Sequence, residues 1–332
     1  MPTTTRRARE LIGAGATVGR RSDQVWVIVL AGGSGARLAD LTRDETGLPV
    51  PKQYCSFDGR RTLLRATLER ASRLAPAGRQ LVVVAEEHAR WWASELAHLP
   101  AGNVLVQPLS RGTAAGLLLP VLHVLRQDPG AQLVVLPSDH HVADEALLAR
   151  SLRAATAASR VHGGRLVLLG IQPDRPDCSY GWIVPGPELE ATRRIRAFVE
   201  KPDRVRAVAL LEQGAVWSSF MLAAAGPALL GCFDRALPAL LAAFRAVMPQ
   251  DASSGSVALR RLYERLPTFD FSRDVLETCA DEARVLPVPW CGWSDLGTPD
   301  RVAACPGLRG PIVRRARARA GAALAVEELA VP

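Results

Sequence analysis

Residues 25–37 read VWVIVLAGGSGAR, an apolar, largely β-branched run followed directly by a glycine-rich turn. A buried strand that ends in such a turn predicts a phosphate site, because backbone N–H groups without a Cβ can approach an anion closely. Leu38 replaces the third glycine of the dinucleotide fingerprint, which disfavours hydride transfer, and no glycine directly precedes a lysine, which excludes a Walker P-loop. The remaining alternatives are an anion-binding turn and a tight turn without a ligand.

Strand-like and helical patterns alternate after this turn. The first half predicts strands at Val25–Leu30, Leu81–Val84, Val104–Val106, Leu133–Leu136 and Leu166–Ile171, and helices near 62–74, 87–96, 113–126 and 146–161. This alternation predicts an α/β fold with a Rossmann-like mixed, mainly parallel sheet and helices on both faces. After residue 171, strands near 180–184, 195–199, 216–223 and 285–289 and helices near 204–212, 227–244 and 271–282 predict an added sheet region.

In an open parallel sheet, ligands bind beyond the carboxyl ends of the strands. Two segments of this chain are predicted to lie there. They are the glycine turn after the first strand and the polar segment Pro137–His140 after the fourth.

The net charge of the 332-residue chain is +8, but it is concentrated in the two ends. Residues 1–21 carry a net charge of +4 and residues 309–332 of +3, so the body between them is close to neutral. A nucleic-acid groove needs its basic excess on the folded body, so we predict no nucleic-acid partner and solvated ends. The sequence is thus divided into a basic extension (1–22), a folded domain (23–305) and a basic tail (306–332).

Several further absences in the sequence bear on where the protein works. No apolar run approaches the roughly 18–20 residues of a membrane span, and the N-terminus lacks the apolar segment of a secretory signal. Six scattered cysteines form no CxxC pair and lack histidines at zinc-ligand spacing. These features predict reduced thiols and a cytoplasmic location.

Lysine is nearly absent from the chain. Of 41 basic residues 39 are arginine, and the two lysines are Lys52 and Lys201. A lysine ammonium is compact and can enter a crowded phosphate site that a planar guanidinium cannot. The two lysines are therefore either phosphate ligands or surface residues retained by chance.

Eight motifs between about Val25 and Val302 occur in the order found in the sugar-1-phosphate nucleotidyltransferases, which they resemble. They are LAGGSGARL (30–38), PKQ (51–53), RGTA (111–114), VLPSDHHV (135–142), GIQPDRPDCSYGWI (170–183), FVEKP (198–202), WSSFM (217–221) and GWSDLG (292–297). The likeness is greatest to the guanylyl branch, which joins mannose 1-phosphate to GTP and forms GDP-mannose. The resemblance makes residues 23–305 a nucleotidyltransferase domain with a nucleoside triphosphate and a sugar 1-phosphate as partners.

In that family a sugar-phosphate oxygen attacks the α-phosphorus of a Mg²⁺-bound nucleoside triphosphate, and pyrophosphate leaves. No protein nucleophile takes part, so catalysis consists of positioning and charge neutralisation. The resemblance implies Arg37 and Lys52 as the catalytic cations. It also implies nucleotide contacts from a set of loop residues, namely Ala31, Gly32, Gly33, Gly35, Arg111 and Thr113.

Sugar-phosphate contacts and a Mg²⁺ site follow from the same resemblance. The sugar-phosphate set is Tyr180, Gly181, Glu200, Lys201 and Ser218. Asp139 and Asp295 are the implied metal ligands, since Mg²⁺ is usually held by one or two carboxylates with phosphates and water. From the residues alone, Asp139 could instead cap a helix and Asp295 could be a turn residue. His140 and His141 are expected near the metal or at the surface, and Trp182, Trp217 and Trp293 beside or beneath the sugar.

Three departures from the family pattern concern mainly the sugar half of the site. Arg37 and Lys52 lie 15 positions apart, a few more than usual. Ser218 stands in place of an asparagine and Phe220 in place of a glycine, and Ser179 replaces another glycine. Losing the asparagine amide removes a donor and an acceptor.

Several alternatives therefore stay open. They are a different sugar or base, a catalytically silent regulator that binds nucleotide sugars, and a nucleic-acid-associated protein that uses its arginine-rich ends. A homo-oligomer is compatible with all of them.

Overall fold

The computed structural model describes the backbone of residues 24–248 and 257–329, and the side chains of these ranges up to residue 320. The predicted basic extension over 1–22 lies outside the described residues. The prediction of a solvated N-terminal end therefore stays a prediction.

Nine strands form one mixed sheet. They are β1 (Val25–Ala31), β2 (Gln80–Ala85), β3 (Val104–Gln107), β4 (Gln132–Pro137), β5 (Val167–Ile171), β6 (Gly181–Leu189), β7 (Thr192–Glu200), β8 (Val216–Ala225) and β9 (Arg284–Val288). Their order is β3-β2-β1-β4-β8-β5-β9-β7-β6, with a further pairing between β8 and β6. The β1 turn thus lies in the parallel half of the sheet, between β2 and β4.

The sheet is not mainly parallel, and this part of the prediction needs correction. Four pairings are parallel, namely β1–β2, β1–β4, β2–β3 and β5–β9. Five are antiparallel, namely β4–β8, β5–β8, β6–β7, β6–β8 and β7–β9. Because β6 pairs with both β7 and β8, the strands β8, β5, β9, β7 and β6 close into a ring beside the open parallel half.

Helices cover both faces of the sheet, as predicted. They are α1 (Leu63–Ser72), α2 (Ala89–Glu95), α3 (Gly112–Gln127), α4 (Glu145–Val161), α5 (Arg204–Glu212), α6 (Gly226–Ala236), α7 (Pro238–Val247), α8 (Val257–Arg265), α9 (Pro299–Ala304) and α10 (Pro311–Leu329). Alternate strand residues separate two cores: Ile28 and Val83 pack toward α3, α6 and α7, whereas Val29 and Val84 pack toward α1 and α4. This period-two alternation is expected of strands buried on both faces.

Two predicted helices differ in detail. The segment near 227–244 is broken between α6 and α7, which are bent by 118°, because Pro238 has no N–H to continue the first helix. The segment near 271–282 consists of a π-helical turn, Ser272–Leu276, and a single 3₁₀ turn, Ala280–Glu282.

The C-terminal segment packs on the body of the protein. Ile312, Val313 and Ala316 of α10 are buried in a third, smaller core with Leu38 and Leu41, which follow the glycine turn. The expectation of a solvated tail therefore does not hold for residues 311–320. Their high charge conceals an amphipathic helix, whose arginines point outward while apolar residues at helical spacing point inward.

One observation bears on membrane crossing. Among the described residues, no single helix has both the length and the apolar character required to cross a bilayer. The bent pair α6–α7 meets those two criteria only when its halves are taken together.

Candidate functional site

The glycine turn follows β1 at the carboxyl end of the parallel strands. Gly35 has a φ of +63°, and a Cβ at this position would lie 2.7 Å from the backbone nitrogen of Lys52. Glycine is therefore required here both by conformation and by close approach. Gly33 has no such requirement, since no heavy atom would lie within 4 Å of a Cβ there. The backbone at Gly33 is thus open to a ligand.

Gln53 and Tyr54, which follow Pro51, form hydrogen bonds that hold this turn in place. Gln53 donates from Nε2 to the carbonyl oxygens of Ala31, at 3.0 Å, and Gly33, at 2.7 Å. The Tyr54 hydroxyl also donates to the Ala31 carbonyl, at 3.2 Å. Two motifs that are separate in the sequence thus form one rigid unit.

A cavity of about 290 Å³ opens at this edge of the sheet. It brings together five of the predicted residues, namely Gly32, Gly33, Gly35, Thr113 and Asp139. The rest of the cavity wall is formed by residues outside the predicted catalytic, binding and metal sets, among them Gln53, Gln107, Ser110, Ser138, His140 and Phe220. The predicted anion-binding turn therefore faces a real cavity.

Gln107 is a residue that the sequence analysis missed. It is the last residue of β3, only 5% exposed, and its amide lies close to Gly32 and Gly116. An amide offers both donors and acceptors, so it can read the polar edge of a planar ligand in this cavity. The sequence contained a signal for Gln107, because a polar residue at the end of a parallel strand lies at the ligand-binding edge of the sheet.

Lys52 contacts both Asp139 and Asp295, which lie 156 positions apart in the sequence and which the resemblance implies as metal ligands. Its Nζ lies 2.8 Å from Asp139 Oδ2 and donates at 2.5 Å to the backbone carbonyl of Asp295. Lys52 is 4% exposed. Burial alone would raise the pKa of the Asp139 carboxyl, but the Lys52 ammonium reverses this effect and holds the pKa below its usual value.

Arg301, at the start of α9, orients the Asp295 carboxylate. It donates to Asp295 Oδ1 at 2.8 Å and Oδ2 at 3.0 Å, and it contacts Asp177 Oδ2 at 2.5 Å. Tyr180 donates its hydroxyl to Asp295 Oδ1 at 2.8 Å, and the Arg301 guanidinium lies 4.0 Å from the Tyr180 ring centre. Burial opposes ionisation of Asp295, but chiefly Arg301 and Lys52 hold the pKa of that carboxyl below its usual value.

Asp139 and Asp295 offer carboxylates, the ligand type that Mg²⁺ takes together with phosphate oxygens; Asp139 lines the cavity, whereas Asp295 does not. Asp139 does not cap a helix, because Asp144 accepts the capping hydrogen bond of α4. Asp295 does form a turn, in which its Oδ1 accepts from the Gly297 N–H, while its Oδ2 faces Arg37 at 3.9 Å. The described residues contain no group of three His, Cys, Asp or Glu that could hold a metal. A hard cation with two carboxylates needs no third when phosphates and water complete its shell.

Four of the five residues predicted to bind the sugar phosphate form a second cluster, namely Tyr180, Gly181, Glu200 and Lys201. Gly181 pairs with Glu200 across β6 and β7, and a Cβ at Gly181 would lie 2.7 Å from Glu200 Oε2. Lys201 Nζ lies 2.6 Å from Glu200 Oε1, and the Lys201 N–H donates to the Tyr180 carbonyl. The Tyr180–Asp295 hydrogen bond connects this cluster to Asp295 and, through Lys52, to Asp139.

The tryptophans lie beneath Tyr180 and do not line the cavity. The ring centres of Trp217 and Trp293 lie 4.7 and 5.4 Å from that of Tyr180, and Trp182 packs against Trp217 at 6.0 Å. All three are at most 7% exposed. These tryptophans were expected either beside or beneath the sugar. In the structure they pack beneath Tyr180.

Phe220 narrows the cavity, as its replacement of a glycine suggested. It lies at the wall with a φ of +61°, a left-handed conformation that a bulky side chain adopts only under strain. Its ring contacts that of Phe271 at 5.8 Å. Ser218 is half-buried, and its hydroxyl accepts the Phe220 N–H at 3.4 Å.

Arg111 does not line the cavity. It donates from Nε to the Tyr263 carbonyl at 2.6 Å and from Nη2 to the Glu264 carbonyl at 3.3 Å. It therefore ties the start of α3 to α8, while Thr113 faces the cavity and accepts the Phe271 N–H at 2.7 Å. Arg37 has a 59% exposed side chain.

Comparison with known proteins places this geometry in a family. The profile of the family described as nucleotidyl transferase matches residues 26–304. The chain belongs to the nucleotidyl transferase family. The resemblance drawn from the eight motifs is thereby confirmed.

Named relatives of this nucleotidyl transferase are longer than the chain. The xanthan biosynthesis protein XanB of Xanthomonas campestris pv. campestris is 33% identical over 278 residues, which cover 82% of this chain and 57% of XanB. A mannose-1-phosphate guanylyltransferase of Sinorhizobium fredii is 31% identical over 287 residues, which cover 82% and 53%. The chain thus spans little more than half the length of these curated relatives.

A solved structure supports the same family. The crystal structure described as mannose-1-phosphate geranyltransferase from Thermus thermophilus is 31% identical to this nucleotidyl transferase, with a TM-score of 0.74. The match covers 84% of this chain and 79% of that one.

Proposed function

We propose that this nucleotidyl transferase joins a sugar 1-phosphate to a nucleoside triphosphate, with mannose 1-phosphate and GTP as its substrates and GDP-mannose and pyrophosphate as its products. The observation that carries the proposal is the position of Lys52, whose ammonium lies between Asp139 and Asp295 beside the glycine turn. The names of the relatives support the choice of mannose and GTP.

In the proposed reaction an oxygen of the sugar phosphate attacks the α-phosphorus. The bond from that phosphorus to the α–β bridging oxygen breaks, and pyrophosphate leaves with the electron pair. The open backbone at Gly33 and its neighbour Gly32 would donate to the triphosphate, and the exposed Arg37 would offset the charge of the leaving group. Lys201 and Glu200 would hold the sugar phosphate and the sugar hydroxyls.

Mg²⁺ is the proposed cofactor, with Asp139 and Asp295 as its protein ligands. When bound, it would supply a positive charge that draws the two polyanionic substrates together. The residues of the chain prepare the site: Lys52 and Arg301 keep the two carboxylates ionised and fix their positions.

Pyrophosphate release with Mg²⁺ tests this function. We expect turnover with mannose 1-phosphate and GTP, higher than with glucose 1-phosphate or with ATP, UTP or dTTP. Asp139→Asn should lower turnover about 10²–10³-fold, because it removes charge from the metal site. Tight GDP-mannose binding without turnover of any pair would instead support the silent regulator, which the altered residues Ser218 and Phe220 favour.

Gly33→Ala separates the binding role of the turn from its structural role. A Cβ fits at Gly33 without contact, so the free energy of unfolding should change by less than about 0.5 kcal/mol. The same methyl group would stand between the backbone and a phosphate, so KM for the nucleotide should rise about tenfold or more.

Gly78→Ala is the matched control for this variant, since a Cβ there also meets nothing within 4 Å and the position is far from the turn in the sequence. Steady-state kinetics and urea unfolding measure both variants. An unchanged KM in Gly33→Ala would mean that no phosphate approaches this backbone.

A further inference from the structure

A second, polar cavity of about 220 Å³ lies away from the glycine turn. Three arginines from different segments line it: Arg165 precedes β5, Arg284 begins β9, and Arg194 belongs to β7. Strands β5 and β9 are parallel, and the carboxyl end of β9 leads toward Asp295. The arginine cavity and the candidate active site therefore lie at opposite ends of the same strand.

The charge in this cavity is poorly compensated. Arg284 is 7% exposed, and its Nε and Nη1 are buried without a hydrogen-bond partner among the described residues. Arg194 is its direct partner across the antiparallel pair β7–β9. Burial lowers the pKa of Arg284, and the charges of Arg194 and Arg165 lower it further. A buried unpaired charge and like charges on facing strand residues both destabilise a fold.

The acidic groups nearby offset this charge only in part: Glu190 raises the pKa of Arg284 against the larger effect of burial, and none of them forms an ion pair with the cavity arginines. Glu282 lines the cavity, but its carboxylate pairs with Arg235, at 2.8 Å from Oε2. Glu190 lies 3.9 Å from His162, and Asp281 is exposed at the rim. No carboxylate of the described chain lies within 4.0 Å of a guanidinium nitrogen of the three cavity arginines. Arg165 donates to a backbone carbonyl, that of Glu282, at 3.5 Å.

We infer that this cavity is a binding site for a phosphate group, either inorganic phosphate or a small phosphomonoester. A guanidinium presents paired N–H groups that match two phosphate oxygens, and several arginines can share one such anion. The cavity holds the volume of about seven water molecules at ~30 Å³ each, enough for a phosphate with a small organic group. It is below the ~300 Å³ at which pockets for larger organic ligands begin.

Thermal unfolding of the full chain tests this site, with sodium phosphate compared against sodium chloride at equal ionic strength. At 10 mM, a concentration about ten times an expected millimolar Kd, phosphate should raise the Tm of the wild type by about 2 °C. Glycerol 3-phosphate is measured in the same way. A larger Tm shift with glycerol 3-phosphate than with inorganic phosphate indicates a phosphomonoester site, and a smaller one indicates a site for the inorganic ion.

Two variants test whether the phosphate-dependent Tm shift arises at the arginine cavity. Arg284→Met should abolish the phosphate-dependent shift and raise Tm in phosphate-free buffer, because it removes an unpaired buried charge. Arg194→Met changes an exposed residue, so it keeps the fold, and it should reduce the shift at least by half. Arg206→Met, an exposed arginine on α5, is the matched control and should leave the shift intact.

Phosphate could also bind at the glycine turn, and Arg37→Met separates the two sites. The shift should persist in Arg37→Met if it arises at the arginine cavity. Absence of a shift in the wild type, or its persistence in both Arg284→Met and Arg194→Met, would overturn the inference. This outcome is independent of pyrophosphate release, which tests the candidate active site alone.

Discussion

Replacing Lys52 by methionine is expected to lower kcat/KM for nucleotidyl transfer about 10³-fold, the size of effect seen when one preorganised donor is lost from a reacting centre. Lys52 is nearly inaccessible, and its ammonium contacts Asp139 and the Asp295 carbonyl. Methionine has a similar length but no charge, so the carboxylate would lose the cation that keeps it ionised. Pyrophosphate release measures the rate, and circular dichroism with thermal unfolding verifies the fold.

Lys52→Arg distinguishes charge from shape. Lys52 is 4% exposed, and its ammonium is held between Asp139 Oδ2, at 2.8 Å, and the Asp295 carbonyl, at 2.5 Å, so a larger planar guanidinium would have to displace these neighbours. We expect this variant to recover less than a tenth of the wild-type rate. Full activity in Lys52→Arg would contradict the argument that the chain keeps lysine here because arginine does not fit.

Replacing Gly112 by alanine should lower the free energy of unfolding by about 3–5 kcal/mol, near the upper end of single substitutions. Gly112 begins α3 with a φ of +82°, and a Cβ would overlap the backbone carbonyl of Phe269. That carbonyl accepts the Ala114 N–H at 3.1 Å, and the Phe269 N–H donates to the Arg111 carbonyl at 3.2 Å. The backbone is thus fixed on both sides and cannot move away.

Gly163→Ala provides the control for conformation alone. Gly163 has a φ of +79°, but a Cβ there would meet nothing within 4 Å. This variant should lose only about 1 kcal/mol, the usual cost of a left-handed alanine. Chemical denaturation of both variants gives the difference, and equal losses would refute the close approach of Phe269.

The parallel half of the fold was predictable because its signals are local. The apolar run before the glycine turn and the nearly continuous burial of β1, β2 and β4 follow from short stretches of sequence. The placement of Asp139 and Asp295 on either side of Lys52 could be expected only from the family resemblance, since no local rule connects residues 156 positions apart. Their role as a metal pair stays a prediction.

Other features depend on long-range packing that no short pattern encodes. The ring of β8, β5, β9, β7 and β6 requires a second pairing of β8, which a strand pattern does not reveal. In the sequence, no pattern distinguishes Arg301 among the 39 arginines. In the structure, it is buried between Asp177 and Asp295 and pairs with both. Arg111 carries a family motif, but its guanidinium is used to hold α8. Motifs therefore located the site more reliably than they assigned each side chain.

Closure of the five-strand ring affects how the protein can associate with other chains. Within the described part of the chain, β6 bonds to β7 and, at Trp182 and Ile183, to β8, so the strand that ends the order on its open side is β3. Strand addition and aggregation begin at the open margins of a sheet, where backbone groups are unpaired. β3 has four residues, Val104–Gln107, and therefore offers an incoming strand very few hydrogen bonds. The topology thus leaves this sheet little opportunity for edge-to-edge polymerisation.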